Sequence, residues 1–115
     1  MQVIDRQLFT DTFQYFDKEI IVEIIDIFLN EYQERLNTIK TSIESLDHQN
    51  IKFHAHSMKG VVANFAAPSL QAVAKDIEEK GTQGKSDNLE EDYAKMEELT
   101  LVLVAELQEL RSGYL

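Results

Sequence analysis

Residues 17–46 read DKEIIVEIIDIFLNEYQERLNTIKTSIESL and set the architecture expected of the whole chain. Apolar side chains recur in this segment at intervals of three and four, which places them on one face of an α-helix. They are Ile21, Ile24, Phe28, Tyr32, Leu36, Ile39, Ile43 and Leu46. Asp17 precedes them as a candidate N-cap. The pattern predicts one amphipathic helix of about eight turns.

Two shorter helices are predicted after it. The first covers 49–66, and its inward side chains are Ile51, Ala55, Met58, Val62 and Phe65. Pro68 opens the second, because proline is tolerated in the first turn of a helix. The inward side chains of this helix are Leu70, Val73, Ala74 and Ile77. Residues 81–87, GTQGKSD, carry two glycines and predict a loop.

A last helix is predicted over 88–111, with inward side chains Leu89, Tyr93, Met96, Leu103, Leu107 and Leu110. Its run 99–104, LTLVLV, could alone form a buried strand, but it lies inside a longer helical pattern without flanking turn residues, so we predict helix. A short N-terminal segment is expected to cover one end through Leu8, Phe9, Phe13 and Phe16. The fold class is therefore all-α, an antiparallel up-down four-helix bundle with a short N-terminal capping helix.

Composition and net charge exclude several classes of partner and of site for this chain. Its 115 residues fit one domain, expected to span 1–115. A formal charge of −10 would repel phosphate backbones and anionic lipid, so neither nucleic acid nor membrane is an expected partner. The absence of cysteine excludes a thiolate nucleophile and a cysteine zinc site, and we expect no cofactor. The first residues lack the pattern of a signal peptide, which predicts a cytoplasmic protein.

The negative charge is unevenly distributed. All 21 Asp and Glu residues lie outside 48–75, and that window holds Lys52, Lys59 and Lys75 together with the three histidines. A locally cationic surface on an acidic protein is one interpretation. The other is chance combined with a buried helix that cannot hold charges.

Within this window, His56 is expected to point outward. At 100° per residue it lies about 140° from the core direction of its helix, on the same outer surface as Lys52, Phe53 and Ala63. His54 falls nearer the core on the other flank, so the two histidines diverge and cannot hold one metal ion together. We interpret His54 as a residue at the edge of the core.

Gly60 is unusual because glycine inside a helix costs about 1 kcal/mol relative to alanine. The side chain of residue i+4 covers the space over residue i, so a missing Cβ at 60 leaves room above His56. Lys59 places an ammonium on the same face. A neutral imidazole nitrogen could attack a phosphoryl group, with Lys59 offsetting the added charge and Phe53 and Ala63 forming an apolar rim for a partner. The alternative is an ordinary surface histidine beside a surface lysine, with a glycine tolerated for packing.

The motif AHSMKG at 55–60, followed by Ala63-Asn64, Leu70 and Ile77-Glu78, resembles the histidine-containing phosphotransfer (HPt) domain of multistep phosphorelays. The resemblance implies that His56 accepts the phosphoryl group, with Lys59 and Gly60 beside it. It also suggests Glu78 as a residue that orients the imidazole. The family usually has glycine ten residues after the histidine, where this chain has Ala66; we expect a changed turn into Pro68 and unchanged chemistry.

The resemblance also implies partners. Receiver domains of response regulators would supply the aspartate and Mg²⁺, the chain would pass a phosphoryl group from one receiver to another as a monomeric carrier without kinase activity, and a hybrid histidine kinase could be a further partner. The alternative function is an acidic helical-bundle interaction module that is not phosphorylated. A carboxylate metal site would need inward Glu-x-x-His pairs on two helices, and the sequence has none.

Overall fold

The computed structural model describes residues 1–114, which form five α-helices and the segments before and between them. The helices are α1 (Arg6–Phe13), α2 (Lys18–Glu44), α3 (His48–Ala63), α4 (Pro68–Gln83) and α5 (Leu89–Tyr114). Helices α2 to α5 pack side by side into a bundle 43 Å long, with α1 at the N-terminus. The all-α bundle with a short N-terminal helix is confirmed. Leu115, the last residue of the predicted domain, lies outside the described residues.

Helices α2 and α3 run antiparallel, as pairs of contacts along them demonstrate. The ring of Phe28 lies 5.3 Å from that of Phe65. Two turns later in α2, Nη1 of Arg35 donates to Oγ of Ser57 at 2.9 Å. In the same direction along the bundle, residue numbers rise in α2 and fall in α3, so the two helices are antiparallel.

The predicted apolar faces supply most of the core. Three buried apolar residues of α2 and α5 were not predicted, Ile25, Leu99 and Val104. Four predicted inward residues are only partly buried, namely Ile24, Tyr32, Tyr93 and Leu110. Every inward side chain predicted for 49–66 and for the helix opened by Pro68 is buried. The run 99–104 is helical, as expected, and lies within α5. Because burial follows the three-and-four spacing, the remaining face of α3 is left to solvent.

The end of α2 differs from the prediction. The helix stops at Glu44, and Leu46 lies beyond it as an exposed residue with φ of +52°. The backbone N–H of Leu46 donates to Ile43 O and that of Asp47 to Ser42 O, so these bonds reverse the chain and satisfy helix carbonyls. Leu46 is therefore not part of the inward stripe.

The end of α3 also comes early, at Ala63 rather than 66. Phe65 is nevertheless buried as predicted. Ala66 has φ of +56°, in the left-handed region that favours glycine and costs other residues about 1–2 kcal/mol. Ala66 therefore strains the turn into Pro68, ten residues after His56.

The predicted loop at 81–87 is shorter than expected. Helix α4 continues to Gln83 and ends where Gly84 adopts a φ of +68°. Gly81 belongs to α4 and is buried against the backbone of α3. This contact joins distant parts of the chain, so the local sequence around Gly81 does not predict it. The last helix likewise runs past 111 to Tyr114.

At the N-terminus, Phe9 and Phe13 of α1 are buried as predicted, whereas Leu8 and Phe16 are about half exposed. Helix α1 ends at Phe13, so the helical spacing that would bring Phe16 onto the same face stops there. Only part of the predicted apolar segment covers the bundle.

Candidate functional site

His56 lies on the outer face of α3, at the middle of the helix. Its neighbours Ala55 and Met58 are fully buried, while the side chain of His56 is 67% exposed. The core stripe of α3 thus fixes its outward direction. A macromolecular partner could reach the imidazole without any rearrangement of the bundle.

Glu78 on α4 holds both His56 and Lys59. Its Oε2 lies 2.5 Å from Nδ1 of His56, and its Oε1 accepts from Nζ of Lys59 at 2.6 Å. The carboxylate is only 15% exposed, so it is fixed between the two helices. The Glu78 carboxylate therefore joins His56 and Lys59, two side chains that the sequence analysis placed at this site.

The hydrogen bond from Lys59 is the largest cause of a lowered pKa of Glu78, and the hydrogen bond with His56 lowers it further. Burial acts in the opposite direction. An ionised carboxylate can only accept, so Nδ1 of His56 must carry the proton of this bond. In the neutral ring, Nε2 then keeps its lone pair and is available as a nucleophile.

The side chain of Lys59 is less exposed than the sequence suggested, and its ammonium is paired. Its side chain is 27% exposed and is paired with Glu78. Within the acid-free window 48–75, the charge of Lys59 is therefore compensated, because a carboxylate from outside the window reaches into it. The predicted proximity of Lys59 to His56 is present, through the shared partner.

Gly60 adjoins open space. A Cβ built at this position would meet no heavy atom of the described chain within 4 Å, apart from its own helix backbone and its direct neighbours. Packing within the protein thus gives no reason for glycine here. The clearance that the sequence suggested is present and faces solvent.

Lys52, Phe53 and Ala63 are all exposed on α3, as predicted. Phe53 is 66% exposed, although its ring lies edge-on to that of His54 at 5.1 Å. His54 itself is partly buried and lines a groove with Arg35 and Ser57, toward α2. The two histidines therefore face different sides of α3, and the apolar side chains around His56 remain available for a partner.

No group of three or more His, Cys, Asp or Glu side chains within residues 1–114 is arranged to hold a metal ion. His48, the third histidine, bonds instead to Oγ of Ser86 through Nε2 at 2.9 Å. Across the same residues, no helix is both long and apolar enough to cross a membrane.

Acid is expected to weaken the contact of Glu78 with Lys59. Because the folded protein lowers the pKa of Glu78, the carboxylate stabilises the fold above the ordinary carboxyl range and loses this effect as the pH falls through the lowered value. Glu78→Gln cannot ionise. The difference in melting temperature between wild type and Glu78→Gln should therefore shrink between about pH 6 and about pH 3.

Thermal unfolding followed by circular dichroism measures this difference. Glu79→Gln, at the exposed neighbouring position of α4, controls for the loss of one negative charge. A difference that stays constant for Glu78→Gln over the whole pH range would contradict a stabilising Glu78 carboxylate.

Comparison with known proteins agrees with this geometry. The family model of the Hpt domain matches residues 23–113. The crystal structure of histidine-containing phosphotransfer protein B from Pseudomonas aeruginosa PAO1 matches with a TM-score of 0.89 and 23% sequence identity, over 98% of this chain and 97% of that chain. At this identity the structural match shows the fold alone. The comparison with curated proteins gives no match.

Proposed function

The chain belongs to the Hpt domain family, whose role is phosphotransfer in two-component signalling, and on that premise we propose that His56 is its phosphoryl-accepting residue. The observation that carries the proposal is the hydrogen bond between Nδ1 of His56 and Glu78, which leaves Nε2 exposed and unprotonated in the neutral ring. An exposed nucleophilic nitrogen is what transfer from another protein requires.

The transfer step follows from this arrangement. The lone pair of Nε2 attacks the phosphorus of a phosphoryl-aspartate on a receiver domain. A P–N bond forms, the P–O bond to the aspartate breaks, and the aspartate leaves as a carboxylate with the bonding electrons. The proton stays on Nδ1, where the Glu78 carboxylate offsets the positive charge that the ring acquires. Attack by the aspartate of a second receiver reverses the step.

Lys59 offsets the charge of the phosphoryl group. A phosphoryl group on Nε2 would bring close to two negative charges beside the 2.6 Å pair of Lys59 and Glu78. The ammonium has three donors, so it can keep the bond to Glu78 and still donate to a phosphoryl oxygen. Lys59 thus serves both the free and the phosphorylated forms.

Hpt domains are phosphotransfer carriers rather than kinases, and they interact with receiver domains and histidine kinases. In our proposal, residues 1–115 form a single carrier domain that acts as a monomer in the cytoplasm. The receiver brings the aspartate and Mg²⁺. Lys52, Phe53 and Ala63 supply the docking contacts around His56, since all three are exposed on the same helix.

Incubation with a phosphorylated receiver domain tests the proposal. Label should move to this chain and behave as phosphohistidine, which is labile in acid and stable in alkali. Several receivers are to be tried, because the cognate one is not specified by the geometry. Failure of all of them to label the chain would favour the interaction module that is not phosphorylated.

Replacement of Gly60 by alanine separates fold from function. Alanine should stabilise the protein by up to about 1 kcal/mol, because its Cβ meets open space and alanine is the better helix former. The same methyl group should slow transfer from a receiver domain, which has to approach closely over position 60. Thermal melting and transfer kinetics measure the two effects.

Gly113→Ala is the matched control for Gly60→Ala, since a Cβ there also meets nothing within 4 Å and α5 lies outside the site. It should leave transfer unchanged. If Gly60→Ala transferred as fast as the wild type, the clearance above His56 would have no role in docking.

A further inference from the structure

Helices α3 and α4 approach each other closely at Gly81, where the chain has no side chain to keep them apart. A Cβ built on Gly81 would lie 2.6 Å from the backbone N of Lys52 and 3.0 Å from the backbone O of His48. Both are main-chain atoms, which cannot rotate away as the end of a flexible side chain can. Any residue larger than glycine would therefore force the two helices to move.

This contact lies one turn from the proposed phosphotransfer site on both helices. Gly81 follows Glu78 by three residues in α4, and Lys52 precedes His56 by four in α3. Residues three and four apart lie on the same side of a helix. The Gly81 contact and the Glu78 contacts thus belong to the same α3–α4 interface.

The spacing matters because the Glu78 bonds are short. Ordinary van der Waals contact of a carbon atom needs about 3.5 Å, so a Cβ at 81 would have to displace α4 by about 1 Å. With the side-chain rotamers kept, the bond lengths of 2.5 Å to His56 and 2.6 Å to Lys59 would then approach 3.5 Å, where a hydrogen bond is lost.

We propose that Gly81 is a positioning residue of the phosphotransfer site: it sets the α3–α4 distance at which Glu78 reaches both His56 and Lys59. This inference rests on the proposed function of His56. It assigns a role to a glycine that does not touch the reacting atoms. Gly60 and Gly81 thus act differently, one by leaving space for a partner and the other by drawing two helices together.

Gly81→Ala in the full chain tests the proposal, with Gly113→Ala as the matched glycine control. Nitrogen NMR of the unphosphorylated protein reports which nitrogen of His56 carries the proton. The wild type and Gly113→Ala should hold it on Nδ1, and Gly81→Ala should lose this preference. Phosphorylation of His56 by phosphoramidate should slow about tenfold in Gly81→Ala, the effect of losing one hydrogen bond to a charged group.

A double-mutant cycle separates positioning from general destabilisation. If Gly81 acts through Glu78, Gly81→Ala should add little to the slower phosphorylation already caused by Glu78→Ala. A full additional loss in that background would overturn the proposal. So would a folded Gly81→Ala protein with the wild-type proton position and phosphorylation rate.

Glu78→Asp keeps the proposal testable if Gly81→Ala does not fold. The shorter side chain withdraws the carboxylate without touching the Gly81 contact and should reproduce both changes at His56. Unchanged nitrogen signals and rate in Glu78→Asp would overturn the proposal. The NMR result does not depend on phosphorylation. A wild type that phosphoramidate does not label would contradict the proposed function of His56. The proton position in Gly81→Ala would then still decide whether Gly81 positions Glu78.

Discussion

His56→Gln is expected to abolish phosphoryl acceptance completely. Glutamine offers an amide nitrogen whose lone pair is delocalised into the carbonyl, so no nucleophile remains at this position. The fold should change by no more than about 0.5 kcal/mol, because the side chain is 67% exposed and contributes nothing to the core. Transfer of label from a phosphorylated receiver measures the loss, and thermal melting measures the stability.

His54→Gln is the matched control for His56→Gln. His54 is two residues away on the same helix, but it lines the groove toward α2 and does not contact Glu78. Label transfer to His54→Gln should persist. If His54→Gln lost acceptance and His56→Gln kept it, the assignment of the accepting residue would be wrong.

Glu106→Ala is expected to destabilise the protein by about 3 kcal/mol. The buried Glu106 carboxylate accepts from the backbone N–H of Val3 at 2.8 Å and from that of Ile4 at 2.8 Å. Both donors are themselves buried, so alanine leaves two unsatisfied N–H groups, each costing about 1–3 kcal/mol. Release of residues 1–5 from α5 would recover part of this cost by exposing the donors to water.

Denaturant unfolding measures the effect of Glu106→Ala. Glu109→Ala is the control on the same helix, because its side chain is 76% exposed and its pairing with Arg6 is long, at 3.9 Å. Its effect should stay within about 0.5 kcal/mol. Equal stabilities for the two variants would mean that Glu106 does not anchor the N-terminal segment.

The buried helix faces and the start of α4 could be predicted because their signals are local in the sequence. The three-and-four spacing of Ile51, Ala55 and Met58 fixed the buried face of α3, and therefore the outward direction of His56. Pro68 marked the start of α4. Such patterns depend on residues within one or two turns of each other, which a sequence displays directly.

Helix ends and close approaches could not be predicted in the same way. Ala66 adopts a positive φ that its own type disfavours, and its carbonyl accepts from the N–H of Asp5 at 2.8 Å. Gly81 looked like the start of a loop, but the backbone of Lys52 makes it part of a packed helix. In both cases the deciding atoms lie far away along the chain.

The sequence by itself determined the bundle, the exposed face of α3 and the candidates His56, Lys59 and Gly60, because helical periodicity converts local spacing into direction. Only the tertiary structure decided that Glu78 ties His56 to Lys59 and that Glu106 holds residues 3 and 4. Those bonds join residues 19 to 103 positions apart. Their lengths depend on how closely whole helices pack, a property of the folded core and not of any local segment.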